Sequence, residues 1–151
     1  MRVIVMSRGD AIIYCYKPHK VKTIMISISD PNMIYEHTPF SSPENGIQSI
    51  LELCFADADR PGPDVYGREA DVSDLMSETD GRKIAAFIRQ NKDFDILVHC
   101  DAGISRSAGV AGAILKYFTN DDASIFDNPY YYPNMWCYRK TLNALNQADG
   151  L

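Results

Sequence analysis

Short apolar runs dominate the first two thirds of the chain, and helical spacing takes over afterwards. Val3–Met6 is a run of strand length and Ala11–Tyr16 a second, so the pattern predicts two short strands around a turn at Arg8-Gly9-Asp10. Val21–Ile28 alternates in part, with Ile24, Ile26 and Ile28 on one face, and stops at Ser29-Asp30-Pro31-Asn32. It predicts a central strand. Residues 31–46 carry Pro31, Pro39, Pro43 and Gly46 and read as loop, with one helical turn after Ser42. Ser49–Phe55 alternates Ile50, Glu52 and Cys54 against Leu51, Leu53 and Phe55 and predicts another strand. Ile96-Leu97-Val98 has the unbroken apolar character of a strand covered on both faces.

Helices follow. Ser77-Glu78-Thr79-Asp80 is a capping-box start with Asp in place of Glu, and Ile84, Phe87 and Ile88 then form a stripe that ends at Asn91-Lys92-Asp93. Ala108–Phe118 predicts a helix whose small residues Ala108, Ala111 and Gly112 allow close packing on a sheet, broken by Asn120-Asp121-Asp122. Pro133-Asn134 opens a last helix, Asn134 as N-cap, with Met135, Tyr138, Leu142 and Leu145 on one face. Tyr130, Tyr131, Tyr132, Trp136 and Tyr138 form an aromatic cluster assigned to packing. His19 and His37 lie in polar, proline-flanked stretches and read as surface residues.

The length of 151 residues suits one domain spanning 1–151, large enough to bury about two thirds of its unfolded surface. Hydrophobic residues make up 46% and charged residues 23%, and the net charge of −5 favours neither a nucleic-acid nor an anionic-membrane partner. The cysteines, Cys15, Cys54, Cys100 and Cys137, show neither C-x-x-C spacing nor paired histidines, so no metal site or redox pair is expected. The opening apolar run stops at Ser7-Arg8-Gly9-Asp10, too early for a signal peptide, and no apolar stretch reaches the length of a membrane span.

The chemistry concentrates at His99-Cys100-Asp101-Ala102-Gly103-Ile104-Ser105-Arg106-Ser107, between the Ile96–Val98 strand and the helix from Ala108. A strand, a tight loop and a helix in that order turn successive N–H groups toward one point at the positive end of a helix dipole, which is an oxyanion site. The N–H groups of Asp101, Ala102, Gly103, Ile104 and Ser105 line the cup, and the planar fork of Arg106 closes over it. Cys100 stands at its floor. A helix N-terminus and an adjacent Arg favour the thiolate, the nucleophilic form. Gly103 frees the backbone to approach the ligand, Ser107 can donate to the sulfur, and His99 can hold Cys100 through the loop backbone.

The segment matches the H-C-x2-G-x2-R-[ST] signature of the cysteine-dependent protein phosphatases, and the chain most resembles their compact dual-specificity or tyrosine-phosphatase-like members. The resemblance implies an α/β fold with a single mixed sheet flanked by helices. It also implies a phosphocysteine intermediate, with no cofactor and no metal. A catalytic Cys100 must stay reduced, which points to a cytoplasmic setting.

A carboxylic acid is needed to protonate the leaving oxygen and later to activate water. In the family this acid follows the neighbouring strand, which carries over to Asp57 on the loop after Ser49–Phe55, with Asp59 second. The stretch from Asp57 to Cys100 is longer than the family commonly shows, and residues 61–74 read as an insertion that could act as a lid. Asp64 and Asp71 therefore stay open as acids. No variable loop position is basic, which favours a phosphorylated protein or peptide, phosphotyrosine first and phosphoserine or phosphothreonine as well, over a highly phosphorylated inositol or an RNA end. The competing readings are a phosphate-binding module without turnover, a phosphatase of a non-protein phosphoester, and sulfur or arsenate transfer to the same thiolate.

Overall fold

The computed structural model describes residues 1–31 and 44–149. The chain runs β1 (Val3–Ser7), α1 (Arg8–Cys15), β2 (Thr23–Ser29), β3 (Ile47–Cys54), β4 (Gly62–Pro63), β5 (Glu69–Ala70), a 3-10 turn (Val72–Asp74), α2 (Glu78–Gln90), β6 (Asp95–Cys100), α3 (Arg106–Thr119), α4 (Ala123–Phe126) and α5 (Met135–Asp149). The helical turn expected after Ser42 lies outside the described residues, as does His37.

The main sheet has the order β1-β6-β2-β3, and its three pairings are all parallel. The expected α/β layering is present, and the antiparallel pair, β4–β5, stands apart from it. Side-chain alternation sorts the core. Ile24, Ile26, Ile28, Ile96, Val98 and Cys100 face α2, α3 and α5, whose Ile84, Ile88, Val110, Ile114, Cys137 and Leu145 complete the larger cluster. Met25, Leu97 and Ile47 face the other way, onto Ala11 and Cys15 of α1. Because all the strands run parallel, the carboxyl ends of β1, β2, β3 and β6 gather at one edge, where Ser7 pairs with Cys100 and Ser29 with Cys54.

The second expected strand is a correction. Residues 11–16 are mostly helix: α1 begins at Arg8, and the supposed turn is its first turn. Ser7 is the N-cap and its hydroxyl accepts from the Asp10 N–H at 3.1 Å. Ala11 and Cys15, four apart, are buried, whereas Ile13 and Tyr16 point to solvent. β1 and β2 run parallel with β6 between them, so no tight turn can join them and the chain from one to the other must cross over one face of the sheet. That requirement outweighs the β-branched pair Ile12-Ile13.

The other expected strands and helices are present. Ser77 and Asp80 form the reciprocal cap of α2 at 3.0 and 2.9 Å. Asn134 accepts from the Cys137 N–H at 3.0 Å at the start of α5. The face of α5 is a correction: its buried stripe is Cys137, Thr141, Ala144 and Leu145, and of the expected Met135, Tyr138, Leu142 and Leu145 only Leu145 is buried, the other three being half-buried. Within the aromatic cluster, Trp136 packs on the core and donates to the Met76 carbonyl at 2.8 Å, while Tyr130 and Tyr132 are exposed. Gly109 admits the start of α5 to α3: a Cβ there would sit 2.3 Å from the Asn134 carbonyl oxygen. His19 is half-buried and stacks on Tyr14 at 3.6 Å.

Candidate active site

The loop between β6 and α3 is shaped from outside by its carbonyls. Asp101 O accepts from the Arg8 N–H, Ile104 O from the Tyr132 N–H and Ser105 O from the Asn134 N–H, at 3.0–3.1 Å. With those oxygens held away, the N–H groups are left for the cup. Of residues 102–105, only Gly103 donates its N–H within the described protein, and it donates to Cys100 Sγ at 3.3 Å. Gly103 has φ +70°, and a Cβ there would lie 2.5 Å from Ser7 N. Any larger residue is excluded both by conformation and by the end of β1.

Cys100 is buried, and its Sγ lies 3.1 Å from the Ser107 hydroxyl. Ser105, the residue before α3, makes no capping bond, so the first amides of that helix have no side-chain partner. Ala102 is exposed, and Ile104 and Ser105 are half-buried around the rim. His99 is fully buried, and by alternation it faces the α1 side, away from the sulfur. Its Nδ1 lies 3.4 Å from the Cys100 carbonyl oxygen. Burial, and then Arg8, push its pKa down to about 4, so the ring is neutral at ordinary pH.

Arg106 is fully buried and anchored at one end. Its Nη1 donates to Asp30 Oδ1 at 2.6 Å and to the Phe55 carbonyl at 2.9 Å. Burial works against its charge, but Asp30 and then Asp57 outweigh it and leave its pKa raised. Among the described residues Nε has no hydrogen-bond partner; Asp57 Oδ2, at 4.0 Å, is within ion-pair range but too far to accept.

The four candidate acids separate cleanly. Asp57 is buried beside the loop, and its Oδ1 accepts from Ser105 Oγ at 2.8 Å and from Asn134 Nδ2 at 2.9 Å. Asp59 pairs with its exposed neighbour Arg60. Asp64 folds onto its own hairpin, accepting from the Tyr66 and Arg68 N–H groups. Asp71 caps the 3-10 turn, and its hydrogen bonds from Ser73 lower its pKa. Of the four, Asp57 alone bonds to the loop between β6 and α3. The segment 61–74 is anchored: Val65 N–H donates to Asp57 O at 3.1 Å, Ala56 N–H to Asp74 O at 2.7 Å, and Ala70 and Leu75 pack on Ala56 and Ala58.

Three residues escaped the sequence reading. Asp30, seen there as a strand break, anchors Arg106. Arg8, seen as part of a turn, pairs with Asp101 at 3.1 Å and reaches Ser29 Oγ at 2.8 Å, tying the ends of β1 and β2 to the loop. Arg68 pairs with the second oxygen of Asp30 at 3.5 Å. A buried Arg needs a carboxylate, and that signal was available for Arg106. Which carboxylate supplied it was not.

Among the described residues no cluster of three or more histidine, cysteine or acidic side chains could hold a metal ion, and no helix is long and apolar enough to cross a membrane. No protein-family model and no curated protein matches the chain. Solved structures do. PTPMT1 matches at 13% identity and TM-score 0.56, over 99% of this chain and 92% of that one. Human DUSP28 matches at 16% and 0.56, over 98% and 94%. Tk-PTP in its active form matches at 16% and 0.52, over 97% and 93%. PTPMT1 has also been solved in complex with PI(5)P and matches in that form at 14% and 0.53, over 99% and 93%. The chain thus has the fold of the cysteine-based tyrosine and dual-specificity phosphatases.

Proposed function

We propose that the protein is a metal-independent cysteine phosphatase acting on phosphotyrosine in proteins or peptides, with phosphoserine and phosphothreonine as further substrates. The observation that carries this reading is Arg106 Nε, a buried charged donor with no hydrogen-bond acceptor among the described residues, at the uncapped N-terminus of the helix that follows Cys100. An unsatisfied buried donor is costly, and a phosphate oxygen at that point would satisfy it.

In this mechanism Cys100 Sγ attacks phosphorus in line while the leaving oxygen takes a proton from Asp57. Both Ser105 and Asn134 donate to Oδ1, so the proton sits on Oδ2. Arg106 and the loop amides hold the equatorial oxygens through both steps, and their fixed orientation is the largest source of rate. Water then attacks the phosphocysteine, Asp57 takes its proton, and the sulfur leaves as thiolate, stabilised by the Ser107 hydroxyl and the Gly103 N–H. His99 holds the loop and takes no proton.

A second reading, a phosphoinositide substrate, draws on the PTPMT1–PI(5)P complex. The loop side chains favour the first, since Asp101, Ala102, Ile104 and Ser105 offer no cation to further ring phosphates. The test is phosphate release from phosphotyrosine peptides and from PI(5)P, with and without a metal chelator. Wild type should cleave the peptides regardless of chelator. Cys100→Ser should release no phosphate, since a hydroxyl cannot replace the thiolate. Turnover by that variant, or turnover abolished by chelation, refutes the mechanism; faster cleavage of PI(5)P refutes the substrate.

A further inference from the structure

The segment between β3 and α2 places a cation and an aromatic ring beside the cup without using either for the chemistry above. Asp30 is the link. One of its oxygens holds Arg106 at 2.6 Å and the other faces Arg68 Nη2 at 3.5 Å. The bonding nitrogens of the two guanidiniums are therefore no more than roughly 8 Å apart across one carboxylate. Arg68 Nε lies 3.4 Å from Asp64 Oδ2. Neither contact is a hydrogen bond, so the donors of the Arg68 guanidinium are unused among the described residues, and the side chain is 47% exposed. The guanidinium lies over the Tyr66 ring, 4.8 Å from its centroid. Tyr66 is 49% exposed. The Val65 N–H bond to Asp57 O fixes the hairpin against the acid.

Resting on the phosphotyrosine reading, we infer that Arg68, held flat by Tyr66, selects substrates with a carboxylate side chain flanking the phosphotyrosine. Arg106 is buried and takes the scissile phosphate; Arg68 is half-exposed at the rim and meets what lies next to it. Asp30 is shared with Arg106, so Asp30 and Asp64 together face two guanidiniums and leave no surplus charge for a second phosphate dianion. A single flanking carboxylate that brings its own hydrogen-bond acceptors matches what remains. A planar guanidinium offers such a group two parallel N–H bonds.

The test compares kcat/KM for two phosphotyrosine peptides that differ only in glutamate or glutamine on either side of the phosphotyrosine. Wild type should prefer the acidic peptide by about 2- to 5-fold, the size of a half-exposed ion pair. The preference should shrink as salt rises. Arg68→Met should bring the ratio to one, and Arg68→Glu should invert it. Damage relayed through Asp30 to Arg106 would lower both peptides together and leave the ratio unchanged, so the ratio separates selection from support. Equal kcat/KM for the two peptides in wild type, or a preference that survives in Arg68→Glu, overturns the inference alone. No cleavage of either peptide by wild type overturns the phosphotyrosine reading and this inference with it.

Discussion

Replacing Asp30 by asparagine should damage both stability and turnover, although Asp30 touches no reacting atom in the proposed mechanism. In the native protein the Asp30–Arg106 pair is 2.6 Å long and both side chains are almost wholly buried. Removing one member of a buried pair leaves the other charge uncompensated, at a cost of about 3–5 kcal/mol. Asparagine keeps an amide oxygen near Nη1 and the Phe55 carbonyl is still in place, so the cost falls below that range, to roughly 2–3 kcal/mol. For a chain of this length that is a fall in Tm of about 5–10 °C. The urea midpoint should fall by the matching amount with the m-value unchanged. Turnover should suffer independently. Freed from Asp30, the guanidinium has Asp57 as its nearest carboxylate, 4.0 Å away, and closing that gap removes both the phosphate clamp and the acid. Cleavage of phosphotyrosine should drop by at least ~10²-fold, the lower bound of what a general acid contributes. A variant within about 0.5 kcal/mol of wild type and cleaving at a near-normal rate would show that Asp30 does not hold Arg106 in place.

Asp57→Asn should slow phosphotyrosine cleavage by ~10²–10⁴-fold while sparing an activated aryl phosphate, whose leaving group needs no proton; equal effects on both substrates would exclude Asp57 as the acid. His99 gives a pH signature in stability. Its folded pKa, about 4, lies below the ordinary 6.5, so between these values the unfolded state binds the proton and the folded state does not. Stability from this group is therefore full above pH 6.5 and falls as pH drops toward 4, by roughly 3 kcal/mol in all. Urea midpoints measured between pH 7 and 4.5 should show a shallower fall for His99→Gln than for wild type. Parallel curves would mean that His99 is not held neutral.

The proposed nucleophile, the proposed clamp and the sulfur's partner could be proposed from the sequence because Cys100, Gly103, Arg106 and Ser107 lie within one strand–loop–helix turn. In so short a segment the spacing is itself the geometry. Strands β1, β2, β3 and β6 and helices α2, α3 and α5 were legible for a similar reason, since burial on a sheet or along a helix face writes a period into the local residues. Helix α1 was not, because its β-branched pair is helical only as a consequence of parallel pairing between strands far apart in the chain. The partners of the site were hidden for the same cause. Asp30 meets Arg106, Arg8 meets Asp101 and Asn134 meets Asp57 across separations of 76, 93 and 77 residues. One sequence contains several acids that could fill each such role, and it ranks them only by nearness to a strand end. In the sequence Asp57, Asp59, Asp64 and Asp71 are rivals; in the fold Asp64 turns inward on its hairpin, Asp71 caps the 3-10 turn, Asp59 pairs outward and Asp57 bonds to Ser105. Which carboxylate meets which arginine depends on where the ends of four parallel strands come together, and only the folded chain brings those ends to one edge.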